Sequence, residues 1–326
     1  MRLFGCLSRC RTRAMKPIAS LLCLACLLHV ALCLRIAAFN IRTFGENKMS
    51  NDTISDYIVR ILNQYDIALV QEVRDKYLVA VGSLLDKLNR ETSNSYHFVV
   101  SEPLGRNTYK ERYLFVFRPD KVSVLDSYYY DDGCLPCGND TFSREPVVVK
   151  FSSPTTGKQH SRGKAWAGIP KASLFQAIPG HVATTATSSV VKEFVIVPLH
   201  AAPKDAVTEI DALFDVYLDV RLRWNMEDIM FMGDFNADCS YVTPSQWPSI
   251  RLRNNSAFQW LIPDTADTTV TPTDCAYDRI VVSGRKLQSA IVPGSATIFD
   301  FQAAYNLSTG MALAISDHYP VEVTLK

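Results

Sequence analysis

Polar residues follow apolar runs at several points: Asn40 after LRIAAF, Glu72 after DIALVQ, and Asp234 with Asn236 in MGDFNAD. Apolar strands that end in acidic or amide groups gather oxygens at one edge of a sheet, and such oxygens suit a hard cation such as magnesium or calcium. Each residue alone is equally a turn or cap residue. The set points to a metal. Outside the export segment and a central insert described below, the histidines are His97, His200 and His318, the last two within VPLHAAP and ISDHYP. Imidazole titrates near neutral pH, so two of them facing one scissile bond can take a proton from water and give one to a leaving oxygen. A single histidine is more often a buried structural group. No serine or cysteine sits in a nucleophile elbow, which disfavours covalent hydrolysis.

The elements that must position these residues are short apolar or alternating runs: LRIAAFNI, DIALVQEV, YHFVVSEP, YLFVFR, EPVVVKF, EFVIVPLH, DIMFMGDFN, YDRIVVSG and YPVEVTLK. They read as strands. Helical spacing appears at Ile54, Ile58 and Ile61, at Leu78, Val81, Leu85 and Leu88, and at Val207, Ile210, Phe214 and Tyr217. Many strands with a few amphipathic helices imply an α/β sandwich. Residues 156–188 break the pattern, being rich in Gly, Ser, Thr, Ala and Pro, free of acidic residues, and bearing Lys158, Arg162, Lys164 and Lys171. They read as a flexible surface insert between two strands, or alternatively as a basic arm for nucleic acid. A retained intron is a further origin for such a stretch.

The 326 residues are 48% hydrophobic and 21% charged, which suits a packed core and excludes a wholly disordered or collagenous chain. Formal net charge is +1, but Arg2, Arg9, Arg11, Arg13 and Lys16 precede an apolar run, so the remainder stands at −4. A strongly basic nucleic-acid packager is excluded, and a polyanion would have to be met by local basic side chains or bridging cations. The run IASLLCLACLLHVALC after this basic stretch reads as a secretory signal over residues 1–33, with Met15 as an alternative start. It is shorter than the roughly 20 residues a membrane span needs. Removing it leaves Cys134, Cys137, Cys239 and Cys275 in an oxidising compartment. Of the three possible pairings, local closure favours Cys134 with Cys137 and Cys239 with Cys275. Asn51, Asn139, Asn254 and Asn306 begin Asn-x-Ser/Thr sequons, of which Asn51 and Asn139 are taken as glycosylation positions.

With these features in place, the chain resembles the deoxyribonuclease I family, within the wider endonuclease/exonuclease/phosphatase superfamily. The resemblance runs from Leu34 to Lys326 apart from the insert. It is carried by LRIAAFNIRTFGENKMS, IALVQEVRD, SEPLGRNTYKERYLFVFRPD, YYYDDGCLPCGNDTFSREP, VPLHAAPKDAVTEIDALFDVYLDV, GDFNADCSYV, DTTVTPTDCAYDRIV and ISDHYPVEV. It implies a single domain over residues 34–326, a four-layer αββα sandwich of two packed mixed sheets. It also implies a secreted, monomeric, metal-dependent endonuclease that cuts double-stranded DNA to ends bearing a 5′-phosphate. His200 with Glu111 and His318 with Asp278 resemble the family's two acid/base pairs. Asn40, Glu72, Asp234, Asn236 and Asp317 match positions around a divalent cation, Mg2+ or Mn2+, and the scissile phosphate. Arg74 and Tyr109 match a minor-groove pair, and Arg42, Asn107, Arg144 and Tyr241 match phosphate contacts. Two structural Ca2+ sites are implied, one at Asp132, Asp140, Phe142 and Glu145, the other at Asp267, Thr269, Thr271 and Thr273. An ordinary acidic turn is the alternative for the first.

Two rival functions set the terms of comparison. A phosphatase or sphingomyelinase would share the metal and histidine blocks but not Arg74 and Tyr109. A secreted binding protein with an idle site would instead engage monomeric actin through the edge strand at Phe98 and Val100, where pancreatic-type relatives bind it.

Overall fold

The computed structural model describes residues 33–133, 135–153 and 191–326. The signal over 1–33, apart from Cys33, and the insert at 156–188 therefore lie outside the described residues, as does Cys134.

β1 (Leu34–Phe44) shows how the layers arise. Ile36 and Ala38 belong to one apolar cluster while Ala37 and Phe39 belong to another, so the two faces of one strand feed two separate cores. A strand buried on both faces must lie inside a layered stack. The strands that follow are β2 (Ile67–Val73), β3 (His97–Val100), β4 (Arg112–Phe117), β5 (Ser123–Tyr129), β6 (Val147–Ser152), β7 (Glu193–Pro198), β8 (Ile229–Asp234), β9 (Phe258–Trp260), β10 (Asp278–Ser283), β11 (Thr297–Ile298) and β12 (Val321–Leu325). They form two six-stranded sheets, ordered β11-β12-β1-β2-β4-β3 and β5-β6-β7-β8-β10-β9. Both are mixed, each with one parallel pair: β1 with β2, and β7 with β8.

The sheets face each other across Ile36, Leu69, Phe115, Phe151, Phe194, Met230 and Ile280. Behind the first sheet pack helices α1 (Asp52–Leu62) and α2 (Val79–Glu91), with Ile58, Ile61, Leu84 and Leu88 inward. Behind the second packs α3 (Ala206–Trp224), through Ile210, Leu213 and Val216. The expected αββα sandwich is what the chain forms, and all three helices expected from periodicity occur. Two later helices, α4 (Arg285–Ala290) and α5 (Thr309–Ile315), were not legible as periodic patterns.

β6 and β7 are antiparallel neighbours in register from Val149↔Ile196 to Ser152↔Glu193, and the Ser153 N–H donates to Lys192 O at 2.9 Å. The two ends that the insert joins are thus already hydrogen-bonded to each other. Cys239 and Cys275 form the expected disulfide, with Cα atoms 5.9 Å apart. Cys137 is disulfide-bonded as well.

Candidate active site

The site lies where the inner strands of both sheets run out together. Asn40, from the first sheet, donates through Nδ2 to Glu72 Oε1 and to Asp234 Oδ2 of the second sheet, both at 3.1 Å. Asn40 was expected at a strand end, but β1 runs on to Phe44, with its register against β2 shifting after Asn40. β2 is irregular at the same level against β4 as well, and there Glu72 has φ +56°. A bulge re-aims a side chain and is over-represented beside functional sites, and a non-glycine residue in that region is itself unusual. Asn236, two residues past β8, also has a positive φ of +50°.

Each histidine has its own carboxylate. His200 Nδ1 lies 2.8 Å from Glu111 Oε2, and His318 Nδ1 lies 2.7 Å from Asp278 Oδ2. Both Nε2 atoms stand 3.6 Å from the same Asp234 Oδ2, so two imidazoles face one carboxylate oxygen. Asp234 and Asp278 are direct cross-strand partners in β8 and β10. Two carboxylates so placed repel each other unless a cation intervenes.

The electrostatics follow from this crowding. Burial alone would lower the pKa of His318, but Asp278 and Asp234 outweigh it and raise it to about 10. His200 also moves upward, burial and Arg144 being outweighed by the Glu111 hydrogen bond and charge and by Asp234. Burial would raise Glu111, yet His200 and Arg144 hold it below the usual carboxylate range. Arg144 spans the pair, with Nε 2.7 Å from Glu111 Oε2, Nη2 donating to Glu111 Oε1 at 3.0 Å and Nη1 to His200 O at 3.1 Å. Each terminal nitrogen keeps one N–H for another acceptor.

The oxygens of Asn40, Glu72, Asp234, Asn236 and Asp317 are of the kind a magnesium-like cation takes. Asn40 Oδ1 and Asp317 Oδ1 are buried acceptors without a hydrogen-bond donor, which fits a set completed by a cation. Asp234, Asp278 and His318 also bring ligand atoms within 4.8 Å of one another. In that second group His318 Nδ1 and Asp278 Oδ2 are bonded to each other, and in the oxygen set Glu72 Oε1 and Asp234 Oδ2 accept from Asn40.

The Arg74 guanidinium lies 3.9 Å from the centre of the Tyr109 ring, which is itself exposed. Arg42 is exposed and 3.6 Å from Asp317. Asn107 Oδ1 accepts the Tyr109 N–H at 2.8 Å, and Tyr241 lies against Tyr277 with ring centres 5.3 Å apart.

The two calcium sets fare differently. Asp267 Oδ1 accepts from the N–H and Oγ1 of Thr269, whose hydroxyl also meets Thr273 O, and the hydroxyls of Thr271 and Thr273 touch. These groups hydrogen-bond to one another within residues 267–273. The same loop is tied to the His318 segment, since Val270 N–H donates to Asp317 O and Tyr319 N–H to Thr268 O, each at 2.8 Å. In the other set, Asp132 Oδ2 already accepts the N–H groups of Thr141 and Phe142, at 2.7 and 2.6 Å. Asp140 is paired with Arg106 at 3.2 Å, the Phe142 side chain is buried, and Glu145 stands just before β6.

Asn51 and Asn139 are both exposed, and Asn51 caps α1 by accepting the Ile54 N–H at 3.1 Å. The edge-strand expectation needs correcting. Phe98 is half-buried, but the Val100 side chain packs into the core between the first sheet and its helices, so on this edge strand Val100 can offer a partner only backbone groups.

Several supporting residues escaped the sequence reading. Gln71 accepts the Asp234 N–H at 2.9 Å and donates to Leu199 O at 2.7 Å, joining the two sheets below the site. Buried Ser316 donates to Asn40 O at 2.6 Å and accepts the N–H groups of Arg42 and His318. Lys48 donates to Ala314 O and Ile315 O at the end of α5, and burial lowers its pKa to about 8. Their only signal in sequence was proximity to the recognised motifs.

A double-sheet sandwich with paired imidazole–carboxylate groups beside an oxygen-lined cluster defines a class of phosphoesterases. The description "Endonuclease/Exonuclease/phosphatase family" matches residues 37–318, and the chain belongs to that family. Within it, the chain is 67% identical over 313 residues to deoxyribonuclease-1 of Equus caballus, covering 96% of this chain and 99% of that one. It is 62% identical over 314 residues to deoxyribonuclease-1 of Homo sapiens, covering 96% and 100%. Among solved structures, an endonuclease/exonuclease/phosphatase of Bacteroides vulgatus superposes with a TM-score of 0.54 at 16% identity, covering 90% of this chain and 98% of that one, a likeness of fold alone.

Proposed function

We propose that the chain is an endonuclease that hydrolyses phosphodiester bonds of double-stranded DNA at this site, leaving 5′-phosphate ends. The observation that carries the reading is the pair of imidazoles, each with its own carboxylate, converging on Asp234 Oδ2 at 3.6 Å. One imidazole takes the proton of the attacking water and the other gives a proton to the leaving O3′. Glu111 and Asp278 fix the Nδ1–H tautomers, so that each Nε2 faces the substrate. Glu72, Asn40, Asp234, Asn236 and Asp317 would hold a divalent cation, Mg2+ or Mn2+, which when bound supplies positive charge to the phosphoryl oxygens. Ca2+ at the Asp267–Thr273 loop would steady the His318 segment, and the Asp132 loop is the secondary calcium candidate.

Arg74 stacked on Tyr109 is the minor-groove element, with Arg42, Asn107, Tyr241 and the free N–H groups of Arg144 on phosphates. Minor-groove reading is degenerate, so sequence specificity is low. This pair is what favours DNA over a small phosphoester. The chain acts as one domain over 34–326, interrupted at 156–188 and exported after removal of 1–33. Actin contact at the edge strand would rest on the Phe98 side chain and the β3 backbone.

The test is plasmid nicking with magnesium and calcium. His200→Ala and His318→Ala are expected to lower turnover by about 100-fold or more while DNA binding persists. Near-wild-type nicking by both folded variants would overturn the assignment.

A further inference from the structure

Glu209, in the first turn of α3, has no accessible surface and belongs to neither imidazole–carboxylate pair. Its Oε1 accepts the Ala202 N–H at 3.1 Å. Its Oε2 is buried without a fully formed hydrogen bond, although Ser143 faces the carboxyl. The segment 199–202, which carries His200, is held one peptide group at a time. Gln71 donates to Leu199 O, the Tyr113 hydroxyl accepts the His200 N–H, Arg144 donates to His200 O, and Asn236 donates to Ala201 O at 2.9 Å. Glu209 takes the last of these groups. Gln71, Arg144 and Asn236 also touch Asp234 or Glu111, so their roles are mixed. Glu209 makes no such bond.

An acid buried here is a poor choice for architecture alone, since an amide or an apolar side chain avoids the desolvation of a carboxylate. We propose that Glu209 is a positioning residue for the hydrolysis: through the Ala202 N–H it fixes the turn that carries His200, so that the imidazole meets the scissile phosphate in one orientation. The inference rests on the reading of His200 as a proton-transfer group. The groups facing Glu209 are Arg144 and Ser143 from the loop before β6, Tyr113 from β4 and the Ala202 peptide. Burial raises its pKa to about 7, with Ala202, Ser143 and Arg144 acting the other way. An N–H bond to the ionised carboxylate is stronger than one to the neutral acid. The turn is therefore held more firmly above neutral pH than below it.

The experiment measures kcat and KM for DNA cleavage by Glu209→Ala and Glu209→Gln from acidic to alkaline pH, with His200→Ala as control. Glu209→Ala is expected to lose kcat on the order of 10- to 100-fold, with KM unchanged, as a displaced catalytic group does. Glu209→Gln keeps an acceptor for Ala202, so it should stay within about threefold of wild type and lose the inflection near neutral pH. Wild-type kcat in folded Glu209→Ala, or equal losses in both variants, would overturn the proposal. If Glu209→Ala does not fold, the Gln profile decides: a missing inflection supports the role and an unchanged profile refutes it. Persistent activity in His200→Ala would instead mean that the reading of His200 had failed.

Discussion

At the scale of single residues, the proton on His318 is the central quantity. Two carboxylates flank its ring, and their charges hold it cationic at pH values where free imidazole is neutral. Its pKa in the folded chain, about 10, exceeds the unfolded value of 6.5. The resulting stabilisation is complete below 6.5 and is lost as pH rises through 10. In a chelator, thermal midpoints of the wild type should fall across this alkaline window, and His318→Gln should flatten the fall. Identical pH dependence in the two proteins would contradict the flanking-carboxylate account. Asp278→Asn removes one charge and puts an amide, able to donate as well as accept, opposite Nδ1, so the tautomer is no longer fixed and turnover should drop by about 100- to 10,000-fold. A turnover close to wild type would remove Asp278 from the site.

At the scale of elements, close approach and covalent closure decide. Gly233 in β8 has φ +132°, and a Cβ there would stand 2.4 Å from Leu199 O and 2.5 Å from Gln71 Nε2. Glycine is required because β7 and the Gln71 bridge press directly against this backbone. Gly233→Ala should destabilise the fold by about 1–3 kcal/mol and displace Asp234 with it; unfolding in urea measures the first effect. The Cys239–Cys275 disulfide spans 36 residues. Chain-entropy arithmetic assigns it about 3–4 kcal/mol, well above the tiny ring expected at Cys134 and Cys137. Cys239→Ser should accordingly lower the thermal midpoint more than Cys137→Ser, and the reverse order would mean that the short loop anchors something larger, such as calcium.

At the scale of the whole molecule, the insert and the charge distribution remain. Ser152 and Glu193 are paired neighbours, so joining β6 to β7 by a short turn demands no rearrangement of either strand. A long loop adds little closure entropy over a short one. Deleting 156–188 should leave kcat intact and raise resistance to proteolysis. Lost nicking, or DNA binding with a markedly shallower salt dependence, would make the insert a functional arm. In the full chain, cleavage should weaken steeply with salt, because cationic contacts to phosphates release counterions. Salt-independent cleavage would count against Arg42 and Arg74 as DNA contacts.

Much of this was written along the chain. The period-two strands, the helical stripes at Ile58, Leu88 and Ile210, and Glu72 and Asp234 near strand ends are local signals that short-range sterics and burial enforce. The motifs also carried both histidines and, by family likeness, their carboxylate partners. β5 escaped because it is an edge strand with Leu125 exposed and Ser127 its one buried residue, and β9 and β11 because two or three residues hold no period. What only the tertiary structure decided is convergence. Asn40 and Asp234 touch across 194 residues because the two sheets stack, and both histidines reach one oxygen because β8 lies between β7, which leads into His200, and β10, whose Asp278 holds His318. Gln71, Ser316, Lys48 and Glu209 work through backbone groups far along the chain. The burial of Val100 likewise follows from layer packing. A residue's type states what it can bond, whereas the stacking of layers and the register of strands select the partner it finds.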